Sequence, residues 1–353
     1  MELGPISEKT FEGYGRGRLA AAPIFSVIIP VYNRTDLLKR AVGSVLRQDF
    51  ADFEVIVIDD GSVDDIRSIV VGFSDIRLRY VRQVNRGASA ARNAGIDRAR
   101  GEYVAFLDSD DVYLPHHLAT MHALLQGAPD AVAYCPIIAT RGKNGNFIKP
   151  PRAIAGGENM ATYLMCDRGF VQTSGVCLSR QIAGRVRYRD DAKFGDDTDF
   201  AIRLQLAGCT FVMADTPGVV WSDDLDHDRL SDIRQPIGDL QWLDDLRPHI
   251  PARAYHGYRG WHQAKGLMQA EPLRAMGLYL RAACQRSYSP RFAMVVLLQV
   301  VVPNHRYRQL SDVWIRWRTR KRESRGVKLA DIPGDRVPDR PGPSVAKSSY
   351  RIW

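Results

Sequence analysis

Three carboxylates are concentrated in residues 108–111 (DSDD), directly after a short apolar run. Residues 102–107 (EYVAFL) are mostly apolar and predict a short buried strand, and Pro115 predicts the start of a helix. Oxygen ligands packed this closely favour a hard divalent cation, because the carboxylates otherwise repel one another. The alternative is a solvated acidic turn that caps the following helix.

Two further predicted strands also end in polar residues. Residues 25–30 (FSVIIP) are followed by Tyr32 and Asn33, and residues 53–58 (FEVIVI) are followed by residues 59–60 (DD). The carboxyl ends of parallel strands meet at the ligand-binding edge of an open α/β sheet. There, an aromatic ring, a hydrogen-bonding carboxylate and a cation site would suit a nucleotide, whose diphosphate charge the cation offsets. No GxGxxG fingerprint follows the first strand, which argues against a dinucleotide dehydrogenase.

The elements between these strand ends alternate regularly. Helices are predicted after Thr35 through Leu46, at about 64–72 and at 88–100, and a third strand at 77–81. Gly101 is predicted to cap the third of these helices at its carboxyl end. Four strand and helix alternations predict a doubly wound, mostly parallel α/β sheet with right-handed crossovers.

The composition limits the class of protein. The chain has 353 residues, 45% hydrophobic and 25% charged, which is ordinary for a soluble globular protein. Much of the excess behind the net charge of +9 falls after residue 300, so it describes a local surface. The five cysteines lack CxxC spacing, which argues against a disulfide framework or zinc site and suits a reducing compartment. Early charges at Glu2, Glu8 and Lys9 argue against a secretory signal.

Four motifs in order resemble family 2 glycosyltransferases of the glycosyltransferase A fold. They are residues 26–34 (SVIIPVYNR), 57–62 (VIDDGS), 85–93 (NRGASAARN) and 102–111 (EYVAFLDSDD). The resemblance covers roughly residues 24–230, and four ordered motifs are far more specific than one. It implies a Rossmann-like nucleotide-binding sheet and an enzyme that takes a sugar from a nucleotide sugar, commonly a UDP-sugar. It also implies Mg²⁺ or Mn²⁺ and inversion of the anomeric centre.

The resemblance implies a donor-side role for each matching position. Pro30 and Tyr32 would flank the base, and Asp60 would bind it. Asp108 would lie near the ribose and the sugar, and Asp110 would ligate the metal as part of the DXD motif.

Some donor-side assignments stay open at this stage. Arg86 or Arg92 would reach the diphosphate, and the sequence does not decide between them. For Tyr32 alone, core packing is the alternative, and for Asp59 it is an Asx-type turn contact.

Residues 169–179 (GFVQTSGVCLS) resemble the acceptor-side segment of the family. The resemblance implies that Gln172, Thr173 and Ser174 lie near the sugar, and the alternative is a polar loop before a strand. Upstream of this segment, residues 140–146 are predicted to form a hairpin turn, because Asn-Gly favours that geometry.

Residues 194–200 (FGDDTDF) predict a helix with an acidic first turn, which could simply compensate the helix dipole. The family carries Glu-Asp here, and its Asp is the general base. The resemblance therefore implies that Asp197 is the catalytic base and that Asp196 supports it or binds the acceptor. Residues 221–231 (WSDDLDHDRLS) resemble the segment that closes over the donor, which makes His227 a diphosphate or metal contact. A solvated loop histidine is the alternative.

The C-terminal third differs in composition. Residues 236–288 predict helices, and the apolar run 292–302 is too short to span a bilayer. Arginine and tryptophan cluster after it as far as Arg325, which favours either an interfacial membrane contact or a buried helix with a solvated basic face. Nucleic-acid binding ranks last, because no binding fold accompanies the charge.

Four regions follow from these observations. Residues 1–22 are predicted to be a flexible lead-in, 23–235 the catalytic domain, 236–329 a helical basic region with a membrane-surface contact, and 330–353 a disordered tail.

The leading hypothesis is an inverting, metal-dependent glycosyltransferase in cell-surface or exopolysaccharide biosynthesis. Its acceptor would be a saccharide or a lipid-linked saccharide, and it would work in the cytoplasm, held peripherally on the inner face of the cell membrane. A catalytically inactive nucleotide-sugar-binding scaffold is the alternative, and the presence of Asp110 and Asp197 argues against it. A nucleotidyltransferase would require a Gly- and Lys/Arg-rich loop after the first strand. The chain has Tyr32-Asn33-Arg34 there, which argues against that class of enzyme.

Overall fold

The computed structural model describes residues 22–140, 146–191, 195–222 and 240–303, together with residues 306, 307, 309, 311 and 313. The strands in these residues are β1 (Phe25–Val31), β2 (Phe53–Asp59), β3 (Leu78–Arg82), β4 (Tyr103–Phe106), β5 (Val112–Tyr113), β6 (Ala131–Tyr134), β7 (Ile137–Thr140), β8 (Asn146–Lys149), β9 (Val176–Ser179), β10 (Thr210–Met213) and β11 (Val219–Ser222).

The α-helices in the same residues are α1 (Thr35–Leu46), α2 (Ile66–Gly72), α3 (Ala88–Arg98), α4 (His117–Leu125), α5 (Met160–Cys166), α6 (Arg180–Val186), α7 (Asp196–Leu206), α8 (Gln241–Leu246), α9 (Ala252–Tyr258), α10 (Ala264–Leu267), α11 (Pro272–Cys284) and α12 (Pro290–Val301). A π-helical turn over Arg259–Gln263 joins α9 to α10.

Seven strands form the central sheet in the order β10-β6-β9-β4-β1-β2-β3. Strands β4, β1, β2 and β3 run parallel to one another, and β10 is parallel to β6. Strand β9 is antiparallel to both β4 and β6. The predicted α/β fold with a doubly wound, mostly parallel sheet is therefore confirmed.

A second sheet has four strands in the order β5-β11-β7-β8. Strands β7 and β8 pair in antiparallel fashion, with Thr140 opposite Asn146, as the hairpin prediction requires. The predicted turn itself, residues 141–145, lies outside the described residues.

Both faces of the central sheet are covered, which explains the continuous apolar runs. Every residue of β1 and β2 is buried, as in parallel sheets with helices on both sides. Alternate residues point to opposite clusters, with Ile28 and Ile56 on one face and Val27 and Val55 on the other. Helix α3 packs closely on the first face, since a Cβ on Gly95 would lie 2.3 Å from Ile28 Cγ2.

The prediction that Gly101 caps α3 is wrong. Helix α3 ends at Arg98, and its C-cap Ala99 is extended with φ −65° and ψ 136°. At Gly101 a Cβ would lie 2.6 Å from the backbone nitrogen of Ser26. Glycine is needed here because the chain passes directly against β1, where a side chain would collide with backbone.

The C-terminal helices divide between two cores. Leu243 on α8 and Tyr258 on α9 belong to the cluster that covers the central sheet. Helices α10, α11 and α12 form a separate cluster that includes Tyr279 and Val296. None of the described helices is long and apolar enough to cross a membrane. The boundary predicted at 235–236 falls outside the described residues, as do residues 1–21 and 314–353.

Candidate active site

The end of β2 organises the donor side of the sheet edge. Asp59 is buried, and it accepts hydrogen bonds from the Ser62 amide at 2.8 Å and the Tyr80 hydroxyl at 2.7 Å. Asp59 therefore stabilises the turn after β2, as the alternative of an Asx-type turn contact predicts. Asp60 accepts from the backbone nitrogens of Arg86 at 3.0 Å and Gly87 at 2.8 Å. Asp60 thus anchors the loop that leads into α3.

The end of β1 is fastened to the same turn. Asn33 has a φ of 51°, and its backbone amide donates to Ser62 Oγ at 3.0 Å. In return, Asn33 Oδ1 accepts from the Val63 amide at 2.7 Å. Pro30 is buried in β1, whereas Tyr32 is 47% exposed, so core packing is the wrong explanation for Tyr32. The ring stands open at the edge of the sheet.

The acidic cluster after β4 is bonded to the segment that is predicted to lie on the acceptor side. The Asp108 amide donates to Ser174 Oγ at 3.0 Å. Asp111 Oδ2 accepts from Ser174 Oγ at 2.6 Å and from Gln172 Nε2 at 2.8 Å. Two predicted acceptor-side residues are therefore tied to the carboxylate cluster through Asp111.

Asp111 itself carries no assignment from the sequence. It is buried, and its Oδ1 finds no hydrogen-bond partner among the described residues. Burial raises the pKa of Asp111 well above its usual range, and the neighbouring charges of Asp110 and Asp108 add to the effect. The second Asp of the pair 110–111 was the available signal, because one side chain suffices for an N-cap.

Asp110 lies at the front of this cluster. Its Oδ2 forms an ion pair with Arg34 Nη1 at 2.8 Å, and its carbonyl accepts from Ser222 Oγ at 3.2 Å. Across the described residues, no three His, Cys, Asp or Glu side chains converge as a complete protein metal site would. The carboxylates still fit a cation that is shared with a substrate, since Mg²⁺ is typically held by one or two carboxylates plus substrate phosphates. The orphaned oxygen of Asp111 adds a further hard donor beside them.

Arg92 lies between Asp108, which is predicted to be on the donor side, and Asp196, which is predicted to be on the acceptor side. Its Nη2 is 2.7 Å from Asp108 Oδ1, and its Nη1 is 2.7 Å from Asp196 Oδ2. The residue is only 4% exposed, and its guanidinium carbon lies 5.1 Å from the centre of the Tyr188 ring. The structure thus places Arg92 in a buried bridge between two predicted site residues.

Arg86 has a different environment. Its side chain is 65% exposed and pairs with Asp190 at 3.0 Å on the rim of the site. Asn93 ties the same rim to α3, since its Nδ2 donates to the Tyr188 carbonyl and to Asp190 Oδ1, both at 2.8 Å. The two arginines that the sequence left as alternatives therefore differ sharply in access.

Asp197 lies in the first turn of α7, on the predicted acceptor side. Its Oδ1 accepts a hydrogen bond from Thr173 Oγ1, which brings together the predicted base and a predicted acceptor-side residue. The pocket beside Asp197 is lined by apolar side chains, including those of Val171, Phe200 and Leu204. Desolvation raises the pKa of Asp197 to about 7, and the charge of Asp196 adds to the rise. Arg92 and the Thr173 hydrogen bond oppose the rise.

The start of α7 is held by the C-terminal helices. Gly195 precedes the helix with a φ of 75°. A Cβ at this position would lie 2.7 Å from Cζ2 of Trp242 on α8, so only glycine permits the contact. Trp242 is 4% exposed and packs edge-on against Tyr258. These aromatic residues, to which the sequence assigned no role, fix the turn that presents Asp196 and Asp197.

The segment predicted to close over the donor is described only at its start. Residues Trp221 and Ser222 end β11, and residues 223–239, with the predicted contact His227, lie outside the described part of the chain.

The comparison with known families matches residues 26–188 to the family described as Glycosyl transferase family 2. Among curated proteins, the amylovoran biosynthesis glycosyltransferase AmsB of Erwinia amylovora is 29% identical over 249 residues, which cover 67% of this chain and 82% of that protein. The GalNAc(5)-diNAcBac-PP-undecaprenol beta-1,3-glucosyltransferase of Campylobacter jejuni is 40% identical over 131 residues. That match covers 36% of this chain and only 41% of the Campylobacter protein.

Solved structures share the fold at low identity. TarS 1-349 of S. aureus in complex with UDP-GlcNAc has a TM-score of 0.55 and 16% identity, over 83% of this chain and 91% of that one. The mannosyltransferase PcManGT of Pyrobaculum calidifontis, in complex with GDP-Man and Mn²⁺, has a TM-score of 0.53 and 19% identity. This match covers 79% of the present chain and 85% of PcManGT.

Proposed function

We propose that this chain, a glycosyltransferase that belongs to glycosyl transferase family 2 through residues 26–188, transfers a sugar from a UDP-sugar to a saccharide hydroxyl with inversion. The observation that carries the proposal is the convergence of Asp108, Asp110, Asp196 and Asp197 at one edge of the sheet, where Arg92 bonds to both Asp108 and Asp196. Relatives whose names concern amylovoran biosynthesis and an undecaprenol-linked saccharide favour a polysaccharide or lipid-linked acceptor.

The donor would bind across the ends of β1 and β2. Tyr32, exposed two residues after Pro30, would cover one face of the base, and Asp60, the residue after β2, would accept a hydrogen bond from the base. Asp108 would lie near the ribose and the sugar. Arg86 would reach the diphosphate, because it is the more exposed of the two candidate cations.

Asp110, with His227, would hold a divalent cation against the donor phosphates. Such a cation supplies Lewis-acid stabilisation of the charge on the departing diphosphate. Within this chain, Arg34 already places positive charge beside Asp110 at 2.8 Å.

The transfer itself would be a single displacement. Asp197 removes the proton from the acceptor hydroxyl, and the oxygen attacks the anomeric carbon while the bond to the diphosphate oxygen breaks on the opposite face. The electron pair leaves with the nucleoside diphosphate, and the proton stays on Asp197. A carboxylate with a pKa of about 7 is a much stronger base than an ordinary aspartate, and it is still ionised in part at neutral pH.

The test is a donor screen with the full chain. Hydrolysis of UDP-, GDP-, dTDP- and CDP-sugars is measured with Mn²⁺, alongside calorimetry with the four diphosphates. We expect a preference for the UDP series, loss of activity in excess chelator, and loss of activity in Asp110→Asn. A clear GDP preference would overturn the base assignment, full activity in chelator would overturn the metal, and binding without turnover would favour the scaffold alternative.

We also propose that α11 and α12 hold the enzyme on an anionic membrane surface. Met294, Leu298 and Val301 are 68%, 53% and 49% exposed and recur at helical spacing on the outer side of α12. On α11, Leu273 is 90% exposed. The buried side of α12 packs in the C-terminal cluster through residues such as Val296.

Charge complementarity favours a membrane over a protein partner for this apolar side. Arg281, Arg286 and Arg291 are exposed on and around these helices, and the whole chain carries a net charge of +9. Each basic residue near an anionic surface contributes about 1 kcal/mol. A surface position would bring the enzyme to a lipid-linked acceptor.

Flotation with vesicles tests the membrane proposal. The double variant Met294→Glu and Leu298→Glu should lose binding to anionic vesicles at low salt, while Ile76→Glu, which changes a residue of similar exposure (72%) far along the chain, should bind as the unchanged protein does. Failure of the unchanged protein to float with anionic vesicles, or equal binding by the double variant, would contradict the proposal.

A further inference from the structure

Arg92 is a buried cation with two anionic partners from different parts of the chain. Asp108 follows β4 on the donor side, and Asp196 lies in the first turn of α7 on the acceptor side. One guanidinium nitrogen is 2.7 Å from each carboxylate, and the Arg92 side chain is 5% exposed. The guanidinium is therefore the direct link between the two halves of the site.

We propose that Arg92 is a positioning residue that fixes the separation of the donor-side carboxylate Asp108 and the acceptor-side carboxylate Asp196. The inference rests on the proposed function in that the two carboxylates serve the two substrates. Arg92 itself touches neither substrate. It sets the distance between the donor sugar and the hydroxyl that Asp197 deprotonates.

The chemistry of arginine suits this role. Its planar fork presents donors in fixed directions, so two carboxylates bonded to separate nitrogens are held at a set distance and angle. The fork is itself held, because it lies over the Tyr188 ring and because Asn93, the next residue of α3, bonds to the backbone at Tyr188. Without the cation, the two carboxylates would repel each other and the gap would widen.

The same geometry argues against a direct contact between Arg92 and the diphosphate. Both terminal nitrogens are already bonded to carboxylates, and the remaining nitrogen, Nε, is buried without a partner among the described residues. A phosphate oxygen would have to displace Asp108 or Asp196 to reach it. The sequence allowed Arg86 or Arg92 at the diphosphate, and the burial of Arg92 favours Arg86.

The first experiment compares Arg92→Lys with Arg189→Lys. Arg189 also bridges two carboxylates, Asp191 and Asp245, each at 2.8 Å, and it has no part in the proposed site. Lysine keeps the charge but lacks the fork, so we expect kcat for transfer to fall about 10- to 100-fold in Arg92→Lys. Affinity for UDP with Mn²⁺ should change less than about threefold, and Arg189→Lys should retain kcat.

Two outcomes would overturn the inference. A loss of UDP affinity of about tenfold or more in Arg92→Lys would assign Arg92 to the diphosphate. A kcat equal to that of Arg189→Lys would show that the bridge does not matter for transfer. Absence of transfer by the unchanged enzyme would instead count against the proposed function, so the two failures are distinct.

A double-mutant cycle tests the link without changing Arg92. If Arg92 couples the two carboxylates, the effects of Asp108→Asn and Asp196→Asn on kcat should be strongly non-additive. The same pair should become additive in the Arg92→Lys background. Additivity in the protein with Arg92 unchanged would overturn the inference, and this outcome can be measured even if Arg92→Lys proves too unstable for kinetics.

Discussion

The central sheet has a buried carboxylate near each of its two edges, the amino ends and the carboxyl ends of the parallel strands. The hydrogen-bonding environments of these two carboxylates differ. Glu54, near the start of β2, is 3% exposed and accepts from Ser26 Oγ at 2.7 Å, Arg79 Nη1 at 2.8 Å and the Arg100 amide at 2.8 Å. Asp197, at the other edge, accepts one hydrogen bond, from Thr173, and has apolar side chains around it.

The consequence is a difference in proton affinity. Burial alone would raise the pKa of Glu54, but the hydrogen bonds from Ser26, Arg79 and Arg100 outweigh it and hold that pKa below its usual value. Desolvation raises the pKa of Asp197 to about 7, because it has fewer donors and Asp196 beside it. The number of donors around a buried carboxylate, more than its burial, decides whether it stabilises the fold or serves as a base.

The largest expected effect is loss of transfer in Asp197→Asn. Asparagine can still accept from Thr173, but it cannot take the acceptor proton, so kcat should fall by about 10²- to 10⁴-fold. Steady-state kinetics at pH 8 with saturating donor measure the loss. The matched control is Asp199→Asn, which changes the buried partner of Arg203 on the same helix. A kcat within threefold of the unchanged enzyme in Asp197→Asn would rule out Asp197 as the base.

At the opposite edge, Glu54→Gln should cost stability and leave the chemistry intact. Replacing the charge leaves Arg79 and Arg100 facing a side chain that itself donates, which should lower the free energy of unfolding by roughly 3 kcal/mol. Denaturant unfolding measures this change, and kcat per folded molecule should be unaltered. A fall in kcat without a fall in stability would contradict the division between the two edges.

A smaller effect is a pH-dependent gain of stability in Asp197→Asn. Because the folded-state pKa is raised from 3.8 to about 7, the stability that Asp197 contributes is fully present below pH 3.8 and is lost as pH rises from there through about 7. The Asn variant should therefore exceed the unchanged protein in Tm at pH 8 by about 2–4 °C, show a smaller gain at pH 5, and show none below about pH 3.8. Glu54 has the opposite sign, since its lowered pKa contributes stability that is lost as pH falls below about 4.5. Equal Tm differences at both pH values would contradict the raised pKa.

The smallest effect concerns the hydrogen bond from Thr173. For the unchanged enzyme, log kcat/KM should rise with unit slope towards pH 7 and then level off, because only ionised Asp197 is a base. The groups that set this pKa are Asp196, Arg92, Asp108 and Thr173. Thr173→Val removes a hydrogen bond that favours the ionised form of Asp197. The rising limb of the pH profile of log kcat/KM should therefore move to higher pH by up to about one unit. Thr120→Val on α4 is the control, and an unmoved limb in Thr173→Val would contradict the assignment.

The sequence by itself determined the α/β sheet and the edge at which the site lies. Apolar runs in β1 and β2 require burial on both faces, and the polar residues that follow them must then meet at the carboxyl ends of parallel strands. The motifs around Asp110 and Asp197 predict residues of the candidate site through their resemblance to the family, and local sequence fixes only that these side chains follow a strand and open a helix.

Tertiary structure decided the partners of those residues. Arg92 and Asp196, and Gln172 and Asp111, are far apart in the chain, and no local pattern predicts that each pair lies within 2.8 Å. Gly101 shows the same limit, since local rules read it as a helix cap although its role is a backbone contact with Ser26. The burial of Asp197 and the number of hydrogen-bond donors around it depend on how distant segments pack together. These two properties raise its pKa from the ordinary value of an aspartate.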